Sequence, residues 1–488
     1  MAMRRRGELW MLGVLCSSYW LIYAVDAPDL YRFMNVTGPV ALTAILGWSC
    51  YGIARQSSIA IWAPLFWFRL ACAAYYGFGA LVPHIVNFET REYIFSLYFF
   101  DDALNFKINL IYCSGIFGTL VFARLILRPG VNRLPAATAG NGPDLKSRMF
   151  LFALGFLLVG AVLRYAVVLP YALGLMRTTL PGMFMTLAKT FYVGVFLMIV
   201  YAMRYDRKIL TVMAPLILFE IAVSVATFAK MELLLILVFS FLGFISHRAT
   251  RTRMVTGALC VLGAYFLFQP LVGYGRIEVI ARYGGEAAGI EERWKIVQDY
   301  LDGGRDTAKS HHQGGLSRLS YVNVGAFVVD QYDAGRPGDT FRDAFAVFIP
   351  RVLWPDKPII TQLGQDLNFM VFGRYGSALG VGHFAEAYWN FGWVGFVPFM
   401  AALALILSVF TRVSMAIMAR QDWLFLPVVF IGVNMGLRVD GHFVPDILGP
   451  AWIAICLGLA LRMAQPILMA SAMRKTTPPS RTARVWGA

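Results

Sequence analysis

Apolar residues in this chain run in long uninterrupted blocks, not at the three-to-four spacing of a helix with one buried face. Stretches such as "LTVMAPLILFEIAVSVATFA" and "FGWVGFVPFMAALALILSVF" are long enough to cross a hydrocarbon core of roughly 30 Å as helices. Lipid offers backbone amides no water partner, so blocks of this kind must be helical. The pattern predicts spans at 9–25, 37–54, 59–83, 108–127, 149–170, 186–203, 209–227, 232–246, 254–273, 391–411, 423–437 and 447–464. The expected fold is therefore all-α, a polytopic membrane helical bundle of about twelve transmembrane helices. The first span follows "MRRR" and lacks a clear small-residue cleavage site, so it reads as a retained signal anchor.

Between spans 254–273 and 391–411 lies a polar excursion too long to be a simple connector. The predicted organisation is an N-terminal transmembrane bundle of about nine helices over 1–273 and a large loop over 274–390. C-terminal transmembrane helices at 391–464 and a basic tail at 465–488 complete it. Within the loop, "EERWKIVQDYLDGGRD" reads as an amphipathic surface helix ended by Gly-Gly. "GLSRLSYVNVGAFVVDQY" is apolar enough to lie against, or re-enter, the membrane domain. A second long connection, "RPGVNRLPAATAGNGPDLKSR", is Pro/Gly/Ala-rich and reads as a flexible linker.

Composition fits this picture, with 58% hydrophobic residues, 15% charged and mean hydropathy +0.62. The net charge of +15 raises a nucleic-acid reading, which the distribution excludes. Residues 274–390 hold 12 of the 43 Lys/Arg and 14 of the 28 Asp/Glu, a net of −2, which leaves +17 elsewhere. That excess sits on alternate short connections and the tail, the positive-inside pattern. It places both termini in the cytoplasm and the large loop on the opposite face. The six cysteines (Cys16, Cys50, Cys72, Cys113, Cys260 and Cys456) all fall in spans and read as buried apolar residues, with no disulfide framework.

Candidate chemistry clusters late in the chain. In "FIPRVLWPDKP", Pro350, Pro355 and Pro358 stiffen the backbone that carries Arg351 and Lys357, and Trp354 suits the headgroup level. Fixed cations at a membrane surface suit a lipid-linked phosphate, with Arg able to clamp oxygens bidentately. The bland alternative is an interfacial loop whose cations face water. In "GHFAEAYWNFGWVG", His383 and Glu386 share a helix face, as a base and its orienting carboxylate would. Tyr388, Trp389, Phe391 and Trp393 offer surface for sugar stacking or an interfacial belt. Arg318 is a lone cation in an apolar stretch, either a substrate clamp or an ion-pair partner. His311 and His312 read as loop residues. HExxH is absent, and no metal or other cofactor is expected.

Ionisable residues inside spans are costly and point to function unless paired. Arg69 lies near mid-span, and Arg164 lies roughly 9 Å beneath the mouth by helical rise. Lys189 and Lys230 sit near span ends, Glu220 lies deeper, and Arg438, Asp440 and His442 fill the tight turn "RVDGHFVPD". A structural pair of Glu220 with Arg69 or Arg164 competes with a substrate role.

The "PR-x-x-WPDKP" element, followed by "EAYWNFGW" at the start of a late helix, resembles the bacterial oligosaccharide repeat-unit polymerases, the Wzy-type enzymes of O-antigen and exopolysaccharide assembly. "TFAKMELLL" is similar to a short Ser/Gly-(Arg/Lys)-x-x-Leu segment of such polymerases and of O-antigen ligases, without the glycine expected beside Lys230. The resemblance implies a glycosyltransferase-C-like bundle in the bacterial inner membrane with a periplasmic loop. It implies metal-independent transfer of a glycan from undecaprenyl pyrophosphate to the sugar of an incoming lipid-linked repeat unit. Carried onto this chain, Arg318, Arg351, Lys357 and Lys230 would neutralise the pyrophosphate, and Glu386 or His383 would deprotonate or orient the acceptor hydroxyl. Arg164, Arg438, Tyr388 and Trp354 join the substrate-binding candidates. A flippase and a chain-length regulator would be partners. Competing expectations are an O-antigen ligase, a polyprenyl-monophosphate-sugar transferase with a base among Asp26, Asp29, Asp101 and Asp102, and a non-enzymatic exporter of the same lipid-linked glycan.

Overall fold

The computed structural model describes residues 2–57, 59–98, 100–127, 143–176, 180, 182–247, 251–283, 288–304, 316, 319–349, 353–373 and 378–474. Arg318, Arg351, His311, His312, linker residues 128–142 and tail residues 475–488 lie outside them, as does the side chain of Lys230.

Among the described residues the chain is all-helical, and nine helices are long and apolar enough to cross a membrane. The protein is a polytopic membrane protein. In chain order the helices are α1 (Ala2–Val25), α2 (Pro28–Gln56), α3 (Pro64–Ile85), α4 (Phe88–Leu97), α5 (Asp102–Ile126) and α6 (Pro143–Ala161, extended to Ala172). They continue as α7 (Gly182–Arg204), α8 (Ile209–Ala226), α9 (Lys230–His247), α10 (Arg251–Tyr283) and α11 (Ile290–Asp299). The last are α12 (Val322–Asp333), α13 (Leu363–Phe372), α14 (His383–Arg420), α15 (Leu426–Leu437) and α16 (Gly449–Arg474). Every span expected from the sequence falls on one of these helices. Nine of the twelve expected spans match these nine helices; Met231–Ser246 of α9 and Trp423–Leu437, which runs into α15, are shorter, and the expected 254–273 span on α10 is not among the nine.

Two features lie beyond the apolar blocks. Helix α10 runs ten residues past the end of its apolar stretch to Tyr283, and α14 begins at His383, ahead of its apolar stretch. Gly392, at φ +56°, breaks α14 near that start, and a Cβ there would collide with the Tyr332 hydroxyl.

The helices pack as two bundles. The larger core joins α1, α2, α3, α5, α12, α14, α15 and α16, and includes Tyr76, Tyr112, Phe384 and Leu403. The second joins α6, α7, α8 and α9 around Phe191, Phe196 and Ile236. Gly160 faces the backbone of Phe191 and Gly194 that of Leu157, so α6 and α7 approach as only small residues allow. Aromatic contacts bridge the bundles. Phe430 of α15 lies 4.2 Å from Phe239, and Trp62 lies 5.3 Å from Phe196 and 5.6 Å from Phe430 by ring centroids. Burial separates central from peripheral helices: 67% of the apolar window of α5 is buried, against 17% in α8 and in the Val444–Pro466 window of α16.

The segments between α10 and α14 gather at one end of the bundles, here the loop end. Arg293 of α11 ties that helix down, donating to the carbonyls of Ala288, Thr227 and Ala172 at 2.8, 2.9 and 3.2 Å. Helix α12 lies on α5 and α14 and is fastened by Tyr98 to Asp330 (2.7 Å) and Lys107 to Asp333 (2.6 Å). Four cysteines are buried as expected, but Cys260 and Cys456 are exposed, because α10 and α16 turn those faces outward.

Candidate functional site

The turn between α15 and α16, Arg438 to Asp446, is folded onto the last residues of the loop. Gly382, at φ +79°, donates its N–H to the Asp440 carbonyl at 3.1 Å, and His383 donates to the Val439 carbonyl at 3.1 Å. The Tyr76 hydroxyl donates to the same Val439 oxygen. Tyr321 donates to Asp440 Oδ2 at 3.0 Å, and burial, then the charge of Asp440, holds its hydroxyl well above the ordinary phenol pKa. Arg438 Nε donates to Asp446 Oδ1 at 3.0 Å and stands 4.0 Å from Asp440.

Glu386 projects from α14 into this turn with no exposed surface. Its carboxylate accepts from His442 Nδ1 at 3.1 Å and from the Phe443 N–H at 2.6 Å. The other ring nitrogen, His442 Nε2, faces the Leu379 carbonyl at 3.1 Å. Both imidazole nitrogens therefore meet oxygen atoms, contacts that a doubly protonated imidazolium satisfies together. Burial by itself would lower its pKa, but the hydrogen bond and charge of Glu386, the Leu379 carbonyl and Asp446 together raise it above the ordinary value. This buried pair links α14, the turn and the end of the loop.

His383 stands beside the pair but outside it. The sequence pairs His383 with Glu386 as a base and its orienting carboxylate; in the structure the carboxylate is taken by His442, across 56 residues. His383 is 1% exposed, and neither ring nitrogen has a hydrogen-bond partner among the described residues. Its ring meets Phe443 edge-on at 6.2 Å. A buried imidazole with both polar atoms unmet is an expensive arrangement that a native structure rarely keeps without a use.

The second bundle presents its own charges to the turn. Lys189, near the start of α7, has Arg438, Glu232 and Asp446 as charged neighbours. Deeper, Arg164 forms a buried ion pair with Glu220, which also accepts from Tyr165 (2.6 Å), Tyr192 (3.0 Å) and Ser224 (3.4 Å). Arg164 is thus held as an ion-pair partner, the structural alternative weighed against a substrate role. Arg69 pairs instead with Glu8, at 2.7 Å.

Four sequence candidates lie elsewhere. Tyr388 is 3% exposed, donates to Asp333 at 2.9 Å and has Lys107 5.1 Å above its ring, so its face is not open for sugar stacking. Trp389 is likewise buried, donating to the Arg336 carbonyl at 3.2 Å. Both side chains lie in the first turns of α14, ahead of the break at Gly392, where the helix packs against α12. Lys357 donates to the Ile349 carbonyl at 2.9 Å, and Trp354 is 38% exposed beside it. Sequence reasoning noticed His442 but had no signal for its partner, and it missed Lys107 and Arg293 as loop anchors. Among the described residues no group of His, Cys, Asp or Glu converges as a metal site would. Compared with protein-family models, with curated proteins and with solved structures, the chain finds no match.

Proposed function

We propose that the chain is a membrane glycosyltransferase that joins oligosaccharide repeat units carried on undecaprenyl pyrophosphate, at the periplasmic face of a bacterial inner membrane. The observation that carries the reading is the buried His383, whose ring has no hydrogen-bond partner among the described residues, set beside a charged turn at the loop end. A sugar hydroxyl would donate to the bare nitrogen of a neutral imidazole there and would give up its proton to the ring as the new glycosidic bond forms. The bond between the donor sugar's anomeric carbon and the pyrophosphate breaks, and the lipid diphosphate leaves with the electron pair. Charge grows on that leaving group, so preorganised cations lower the barrier most. Arg438 is already paired with Asp446, which leaves this role to Arg318, Arg351 and Lys230. Glu386 and His442 are positioning residues in this scheme, because their polar atoms are engaged with each other and the backbone.

The test is reconstitution in liposomes with a synthetic polyprenyl-pyrophosphate repeat unit, read as a ladder on a gel. Polymerisation gives chains of two or more units on the carrier. Transfer of finished polymer to a lipid-A core, with no ladder, would make the chain a ligase. Movement of the unit across the bilayer without bond formation would make it an exporter and remove the proposal.

A further inference from the structure

The segment between α12 and α14 carries large apolar side chains that its own fold leaves uncovered. Phe345 is 81% exposed and Leu353 77%, and Ile349, Trp354, Ile359 and Met370 are also exposed. A water-facing loop has no reason to hold so many, and contiguous exposed apolar surface marks an interaction site. The position of the segment identifies what covers it. Phe348 packs edge-on against Trp452 with ring centroids 5.2 Å apart. Trp452 lies eight residues inside the Val444–Pro466 span, about 12 Å along it at helical rise. The adjoining face of α16 bears Ile455, Leu459 and Met463, exposed at helical spacing as a lipid-facing stripe. The apolar surface of the segment therefore continues that of a membrane-spanning helix.

The polar groups fit the same placement. Short local turns satisfy the backbone donors of Ala346, Ile349, Lys357 and Gln362, and Pro355 and Pro358 have no N–H to satisfy. Lys357 folds back to the Ile349 carbonyl while Asp356 stays exposed. A non-helical backbone with this economy of donors is tolerated at headgroup depth, where water is within reach, and not in the bare hydrocarbon core.

We infer that residues 344–349 and 353–372 lie in the lipid interface against α16, with Phe345 and Leu353 inserted among the lipid chains. The partner is the bilayer itself. The inference stands apart from the proposed chemistry and survives its failure. It makes this segment the wall between lipid and the loop end.

The experiment uses the full chain in nanodiscs of phosphatidylethanolamine and phosphatidylglycerol, with Cys260 and Cys456 replaced by alanine. Nitroxides are placed at Phe345→Cys and, in a separate protein, Leu353→Cys, both sites with little packing to lose. Asp339→Cys serves as the water reference and Ile455→Cys as the lipid reference. Collisions with oxygen and with a water-soluble nickel chelate are read by power saturation. The expected result is oxygen accessibility like that at position 455, with nickel accessibility several-fold below that at position 339. Nickel accessibility equal to that at 339 would place the segment in water and overturn the inference. Protection from both reagents at both positions would mean that protein covers the segment, which also overturns it.

Discussion

Two buried carboxylates in this protein look alike in isolation and do different work. Glu220 is surrounded within one bundle, by Arg164, Tyr165, Tyr192 and Ser224 from α6, α7 and α8. Glu386 takes its partners from a turn 56 residues away, and that turn is in turn hydrogen-bonded to the end of the loop. The first network stitches neighbouring helices together and, among the described residues, leaves over one guanidinium nitrogen, Arg164 Nε. The second joins three separate parts of the chain and has an unsatisfied imidazole, His383, at its edge. A charged residue inside a membrane protein therefore says little until its partners are known; a buried side chain with neither polar atom met, beside the pair, is the sharper sign of function.

The comparison can be broken in order of effect. Glu220→Ala leaves Arg164 buried without its counter-charge, and should cost about 3–5 kcal/mol of stability. Thermal unfolding in detergent would show it, and a variant as stable as the parent would dissolve the idea of a structural staple. Glu386→Gln keeps an acceptor for the Phe443 N–H but removes the charge facing His442; the expected loss is about 1–3 kcal/mol. Local amide exchange should rise at 439–443 and leave α7 unchanged. Tyr165→Phe removes one hydrogen bond to Glu220 and should cost about 0.5–1.5 kcal/mol, since Ser224 and Tyr192 remain.

The smallest effect is a matter of pH. The pKa of His442 is raised in the folded protein, so the seam's contribution is fully present below the ordinary histidine value. It fades as pH rises through the raised value, when one ring nitrogen loses its proton and turns a lone pair toward an oxygen. Exchange at Gly382 and Phe443 should then quicken toward alkaline pH beyond the intrinsic base catalysis of exchange. His442→Gln should flatten that excess; an unchanged slope would argue against the imidazolium.

The helices were legible from sequence because lipid permits a long apolar segment no other form. The Arg164–Glu220 pair was legible as one of two options, since cost alone demands a partner for an intramembrane charge. The loop end was legible only in its residue types. His383 and Glu386 share a helix face by spacing, yet tertiary folding gave Glu386 to His442. Tyr388 and Trp389 are buried ahead of the break at Gly392, and a one-dimensional reading holds no trace of that kink. Arg293 resembled any surface cation of an amphipathic helix, and only the carbonyls of Ala172 and Thr227 reveal it as an anchor.

The most direct measurement is chain extension by His383→Ala and His383→Gln in reconstituted liposomes, alongside their thermal stability. With His383 as the proton acceptor, both variants should fold as the parent does while extension falls by about 100-fold or more. Extension at the parent's rate by a stably folded His383→Ala protein would contradict the account, and would leave the unmet imidazole without the role given to it.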